Sequence, residues 1–279
     1  MPQAAGTNFS ALNLPHNTAL CGLGMVMDIP DHEFATLIQF IQLIHKYPNI
    51  GWIYRGESDG SRRIIPKAGR KNYFLPVLDD PAERDLPPRD IRRFNVWRRL
   101  AVAYDKNLPA NDFDCLAYAQ HYGLATRLLD WSTNPMVALF FAVDSCSSKD
   151  AAVYCYSPHY HLDSTVAKLG ELTEIARYIP PPFDQRILLQ SGVLTYMPNP
   201  SEPLQPEPVR DLGELTPEHG QNLVKLTVLS DMKHILKRML DEIGINRKSL
   251  FPDIEGLSNY VNWQTERIAN PPYRIPKLK

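Results

Sequence analysis

Gln120-His121-Tyr122-Gly123-Leu124-Ala125-Thr126-Arg127-Leu128-Leu129-Asp130-Trp131-Ser132-Thr133-Asn134-Pro135, continued by Met136-Val137-Ala138-Leu139-Phe140-Phe141-Ala142, joins two helices through a brief apolar segment. Asp112 to Tyr122 places Phe113, Leu116, Ala117 and Ala119 or Gln120 at helical spacing, so an amphipathic helix leads into the stretch. Leu128 to Trp131 is the apolar segment. Ser132 to Pro135 then offers a helix start: a capping side chain, Ser132 or Thr133, followed by a proline where a missing N–H costs little. Met136 to Ser145 reads as a buried helix.

Upstream, Phe34 to Ile44 has apolar positions three and four residues apart and predicts a helix. Ile50-Gly51-Trp52-Ile53-Tyr54-Arg55-Gly56 is aromatic and branched, a strand stopped by glycine whose end carries Tyr54 and Arg55. Ile91 to Tyr104 repeats the amphipathic pattern with arginines between Phe94, Trp97, Leu100 and Ala101.

Downstream, Ala151 to Tyr156, Val193 to Met197 and Val224 to Leu229 read as strands, and Asp184 to Gln190 as a short helix or strand. Lys233 to Ile243 is a helix ended by Gly244, Leu250 to Asp253 a turn, and Ile254 to Trp263 a last helix. No composition shift separates two domains. The fold class that follows is α+β, a single mixed domain with a small, mainly antiparallel sheet flanked by helices over residues 28–265, an extension over 1–27 and a tail over 266–279.

Bulk properties narrow the function. With 279 residues, 44% of them hydrophobic, the chain can bury a sizeable core. A formal charge of -1 and a pI near 6.7 exclude the strongly basic proteins that neutralise many phosphates, so any nucleic-acid contact is local. Cys21, Cys115, Cys146 and Cys155 have no metal-ligand spacing, so no metal is expected and a reducing cytoplasm fits best. No segment has the length of a bilayer span, and no membrane association is expected.

Tyr54-Arg55-Gly56 and the stretch from Gln120 to Pro135, with Val137-Ala138-Leu139 and Phe141-Ala142, resemble the signature of the FRG-domain family, Tyr54 standing where Phe is common. Arg186-Ile187 with Gln190 to Thr195, and Ile243-Gly244-Ile245 with Ser249 to Leu257, agree in order, so the likeness covers about residues 30 to 262. A looser resemblance is to the ADP-ribosyltransferase fold. Its members carry Arg or His on a first strand, Ser, Thr or Tyr before a helix, and Glu or Gln late in the sheet. Those places fall on Arg55, on Ser132 or Thr133, and on Gln190.

The resemblance implies Arg55, Thr133 and Gln190 as catalytic residues, and Tyr54, Arg55, Gly56, His121, Thr126 and Ser132 as the holders of NAD. Arg55 has the planar fork that grips a diphosphate, or else it forms an ion pair with an acidic neighbour. His121 is a ribose or phosphate donor, or a packed helix-terminal histidine. Arg127 and Asp130 form a plausible local pair fixing their loop, and Trp131 is expected in the core. Gln190 departs from the acidic pattern, because an amide can orient a hydroxyl but cannot serve as a general base.

The function implied is NAD-dependent ADP-ribosyl transfer to a macromolecule, protein, DNA or RNA, with NAD as substrate. FRG-like and ADP-ribosyltransferase-like proteins occur as bacterial toxins and phage-defence effectors, which implies a neutralising partner protein. Two other readings stay open: a non-catalytic nucleotide- or partner-binding module, and a nucleotide hydrolase using Asp130 or Glu57 to activate water.

Overall fold

A computed structural model describes residues 18–20, 26–28, 33–34, 36–45, 51–74, 86–145, 148–205 and 222–269. Most of the N-terminal extension, Cys21 and Cys146, and the tail beyond Ala269 lie outside the described residues. Within the extension, Thr18–Leu20 (β1) pairs antiparallel with Val26–Asp28 (β2).

The other described strands are Glu33–Phe34 (β3), Ile53–Glu57 (β4), Leu128–Ser132 (β5), Ala151–Ser157 (β6), Tyr160–His161 (β7), Ala176–Tyr178 (β8), Gly192–Tyr196 (β9) and Asn222–Val228 (β10). They form one eight-stranded sheet in the order β3-β10-β6-β4-β5-β9-β8-β7. Its pairs are antiparallel except β10 with β3 and β7 with β8, which is the mainly antiparallel α+β arrangement expected from the sequence.

The described α-helices are Leu37–His45 (α1), Arg89–Ala101 (α2), Asp112–His121 (α3), Pro135–Val143 (α4), Gln185–Leu189 (α5), Lys233–Glu242 (α6), Arg247–Leu250 (α7) and Ile254–Ala269 (α8). α1 begins later than the apolar spacing predicts. Phe34 belongs to β3, and Thr36 and Gln39 close a reciprocal cap: Gln39 N–H donates to Thr36 Oγ1 at 3.2 Å and Thr36 N–H to Gln39 Oε1 at 3.0 Å. α4 starts at Pro135 as expected, but its cap is Asn134, whose side chain accepts from Met136 N–H at 2.9 Å. Ser132 instead accepts from Asn134 N–H at 3.0 Å. α6 ends on Gly244 at φ +83°, the left-handed position that the sequence assigns to it.

Two helical groups share one face of the sheet. Tyr54 of β4 packs with Val137, Phe140, Phe40 and Leu236 from α4, α1 and α6, whereas Leu128, Leu194 and Tyr196 of β5 and β9 pack with Phe94, Phe113 and Leu116 from α2 and α3. Ile53, Leu129, Trp131, Tyr156 and Val193, one residue out of phase, make a core on the opposite face.

Gly56 does not stop β4, which continues to Glu57. A Cβ on Gly56 would lie 1.9 Å from the Ala138 carbonyl oxygen and 2.6 Å from the Ala142 nitrogen, so this glycine lets α4 press directly on the strand. Arg127 does not pair with Asp130. Its side chain points into the protein and forms a bidentate pair with Asp90 of α2, both bonds at 2.7 Å, with further bonds to the Tyr196 hydroxyl and the Pro198 carbonyl. The reason is competition: Asp90 of α2 offers Arg127 a bidentate carboxylate in the protein interior, while Asp130 accepts from the Gln120 amide of α3.

Candidate functional site

β4 and β5 share a single register pair, Tyr54 with Ser132, whereas β4 aligns five residues with β6 and β5 aligns five with β9. Past Tyr54 the two central strands diverge. A backbone carbonyl left without its ladder partner must find another donor. Arg55 supplies it: Nη1 donates to the Asp130 carbonyl at 2.7 Å, in place of a strand N–H.

The gap opens, between the two helical groups, into a cavity of about 480 Å³, within the size range of small-molecule sites. Tyr54 to Ser58 and Asp130 to Ser132 form its floor, Ala117, Gln120 and His121 of α3 one wall, and Ala138 and Phe141 of α4 another. Pro180, Phe183 and α5 residues Arg186 and Ile187, with Gln190 and Phe251, bound the remaining side.

Of the residues that the sequence points to, Tyr54, Arg55, Gly56, His121, Ser132 and Gln190 border this cavity. Arg55 is engaged: Nε and Nη2 donate to Glu57 Oε1 at 2.9 and 2.6 Å, and the side chains of the pair are only 15% and 14% exposed. The ion-pair alternative for Arg55 is therefore present, and it sits inside the cavity. Tyr54 is buried, which pushes its hydroxyl pKa up to about 12 and keeps it neutral.

His121 Nε2 lies 3.1 Å from Asp184 Oδ2, and the other oxygen of Asp184 caps α5 by accepting Arg186 N–H. His121 thus anchors the helix that brings Arg186, Ile187 and Gln190 to the rim. Ser132 Oγ donates to the Gln190 carbonyl at 2.7 Å, and Gln190 Nε2 donates to the Leu250 carbonyl at 3.0 Å.

Two candidates do not reach the cavity. Thr126 is buried behind it; its hydroxyl donates to Gln120 Oε1 and accepts from Leu128 N–H at 3.1 Å, while Gln120 Nε2 donates to Asp130 Oδ1 at 2.7 Å. It acts through Gln120 on Asp130. Thr133 is exposed and borders not this cavity but a smaller, adjoining one with Arg177 and Leu188. Its N–H is spent on the Ser191 carbonyl at 2.9 Å.

Glu57 and Asp130, which the hydrolase alternative names, both border the main cavity. Arg186, Phe183 and Phe251 were not singled out as candidates from the sequence. Arg186 pairs with Asp253 and lies over the Phe251 ring, its guanidinium carbon 5.6 Å from the centroid. These residues come from segments far apart in the chain, and only the register of Arg55 and Glu57, two apart on one strand face, is a local signal. Trp131 is in the core as expected, its Nε1 donating to Thr195 Oγ1 at 2.9 Å. Among the described residues no group of three His, Cys, Asp or Glu could hold a metal ion, and no helix is long and apolar enough to cross a membrane.

A single α+β domain with a cavity of about 480 Å³ at the split of its central strands is the class that fold and site define. Residues 51–151, the segment that supplies β4, α2, α3, β5 and α4, match the family model of the FRG domain. No curated protein and no solved structure matches the chain.

Proposed function

We propose that the chain is an NAD-dependent ADP-ribosyltransferase acting on a macromolecule, protein or nucleic acid, in a reducing cytoplasm. The observation that carries this reading is the cavity between β4 and β5, where guanidinium groups, carboxylates and aromatic rings converge on one space of nucleotide size. Arg55 and Arg186 suit a diphosphate, Phe141, Phe183 and Phe251 suit flat rings, and Ser132, Gln190 and Asp130 suit ribose hydroxyls. Departure of nicotinamide leaves a sugar with oxocarbenium character, so positioning and fixed charge supply most of the catalysis. The context implied for such proteins is a toxin or phage-defence effector restrained by a neutralising partner.

The placement of Glu57 and Asp130 on the cavity favours a second reading, in which water is the acceptor and the protein hydrolyses NAD. Incubation of the purified protein with adenylate-labelled NAD and a lysate separates the two. Label on protein, DNA or RNA supports transfer, and free labelled ADP-ribose supports hydrolysis. Binding without nicotinamide release supports a non-catalytic module and overturns both enzymatic readings.

A further inference from the structure

We propose that Glu57 is the proton-accepting carboxylate of this pocket, filling the role that Gln190 cannot; the assignment rests on the transferase reading. Both bonds from Arg55 end on Glu57 Oε1. Oε2 has no hydrogen-bond partner among the described residues, and Glu57 borders the cavity with a side chain only 14% exposed. One oxygen is thus fixed by a guanidinium while the other carries no protein hydrogen bond, on a largely buried side chain that borders the cavity. A general base needs such an oxygen, since a proton taken from a reacting group must pass to an acceptor that is not otherwise engaged.

The other carboxylate of the cavity is placed for a different task. Asp130 has Oδ1 occupied by the Gln120 amide and is an exposed residue, so its remaining oxygen is solvated and better suited to accept a ribose hydroxyl. Gln190 has only an amide to offer, with its nitrogen committed to the Leu250 carbonyl. Arg55 becomes a positioning residue as well as a ligand contact: it holds Glu57 and, through the Asp130 carbonyl, the edge of β5.

The step balances without a further reagent. The acceptor, a hydroxyl or N–H group of a macromolecule, attacks C1′ of the nicotinamide ribose with its lone pair. The C1′–N bond breaks, its electron pair leaving with neutral nicotinamide, and a C1′–O or C1′–N bond forms. The acceptor proton passes to Glu57 Oε2 and from there to solvent.

Glu57→Gln keeps the shape of the side chain and an oxygen for Arg55 to grip. With carba-NAD, which cannot lose nicotinamide, calorimetry should find its affinity comparable to the parent's, while nicotinamide release from NAD at saturating acceptor falls about 10²- to 10⁴-fold. In Glu57→Ala, added formate should restore part of the lost rate, because a small carboxylate can enter the space vacated. Parental turnover in Glu57→Gln overturns the proposal. So does a loss of binding that matches the loss of turnover with no rescue by formate, which would make Glu57 only the anchor of Arg55. A parent protein that releases no nicotinamide overturns the transferase reading itself, and the role of Glu57 with it.

Discussion

Arg55 has five N–H donors and uses three bonds within the protein, two to Glu57 and one to the Asp130 carbonyl, which leaves part of the fork for a ligand. Removing it takes away the ligand charge and the donor that holds the strand edge, and it leaves Glu57 half-buried without its partner. Arg55→Ala should lower nicotinamide release at least 100-fold and cost about 1.5–3 kcal/mol of stability, the worth of charged hydrogen bonds of this kind. Chemical denaturation beside a turnover assay checks both, and normal turnover in the folded variant removes Arg55 from the site. Thr133→Ala is the contrasting case: with its side chain outside the cavity, turnover should be unchanged, and a large loss would place Thr133 back in the chemistry. At this scale the resemblance to known sequences, rather than any local pattern, singles out Arg55, Ser132 and Gln190, and all three border the cavity. The places of Thr126 and Arg127 are not legible in the sequence, because their partners Gln120 and Asp90 are brought to them only by the packing of α3 and α2.

β4 and α4 meet with no side chain between them at Gly56, so the fit of these two elements sets the width of the cavity that both line. Gly56→Ala should force α4 to retreat and cost about 1–3 kcal/mol, as overpacking does, with a matching fall in carba-NAD affinity because Ala138 and Phe141 move away. Calorimetry together with urea unfolding tests this, and unchanged stability would mean that the helix has slack. Asn134→Ala, which removes the α4 cap, should cost about 1 kcal/mol and leave the cavity otherwise intact. Helices and the longer strands are legible because their apolar spacing persists over several residues. The two-residue β3 and β7 carry no such period, and the competition among Ser132, Thr133 and Asn134 for the α4 cap is settled by Ser132 turning to the Gln190 carbonyl.

Over the whole molecule, the cavity gathers residues from Tyr54 to Phe251, so no local window could display it, and its existence depends on β4 and β5 parting after a single aligned pair. Acid should loosen this assembly in two stages. His234 is held below its ordinary pKa by burial, so its contribution is present above the unfolded value near 6.5 and is lost as pH falls through the lower folded value. Asp59, bonded by Lys149 and Ser61, and Asp253, bonded by Gly256 N–H and Arg186, are likewise held below the usual carboxylate range. Their contribution is complete above about pH 4 and disappears below it. Urea midpoints should therefore drop slightly from pH 7 to 5 and steeply below 4; a midpoint that rises on acidification contradicts the sign. Because the cavity ties both helical groups together, a ligand that fills it stabilises the entire fold rather than one lobe. Carba-NAD at 100 times its dissociation constant should add about 2.7 kcal/mol and raise the melting temperature in one cooperative transition. Two separated transitions, with only one moved by the ligand, would mean that the halves of the sheet on either side of the split unfold independently.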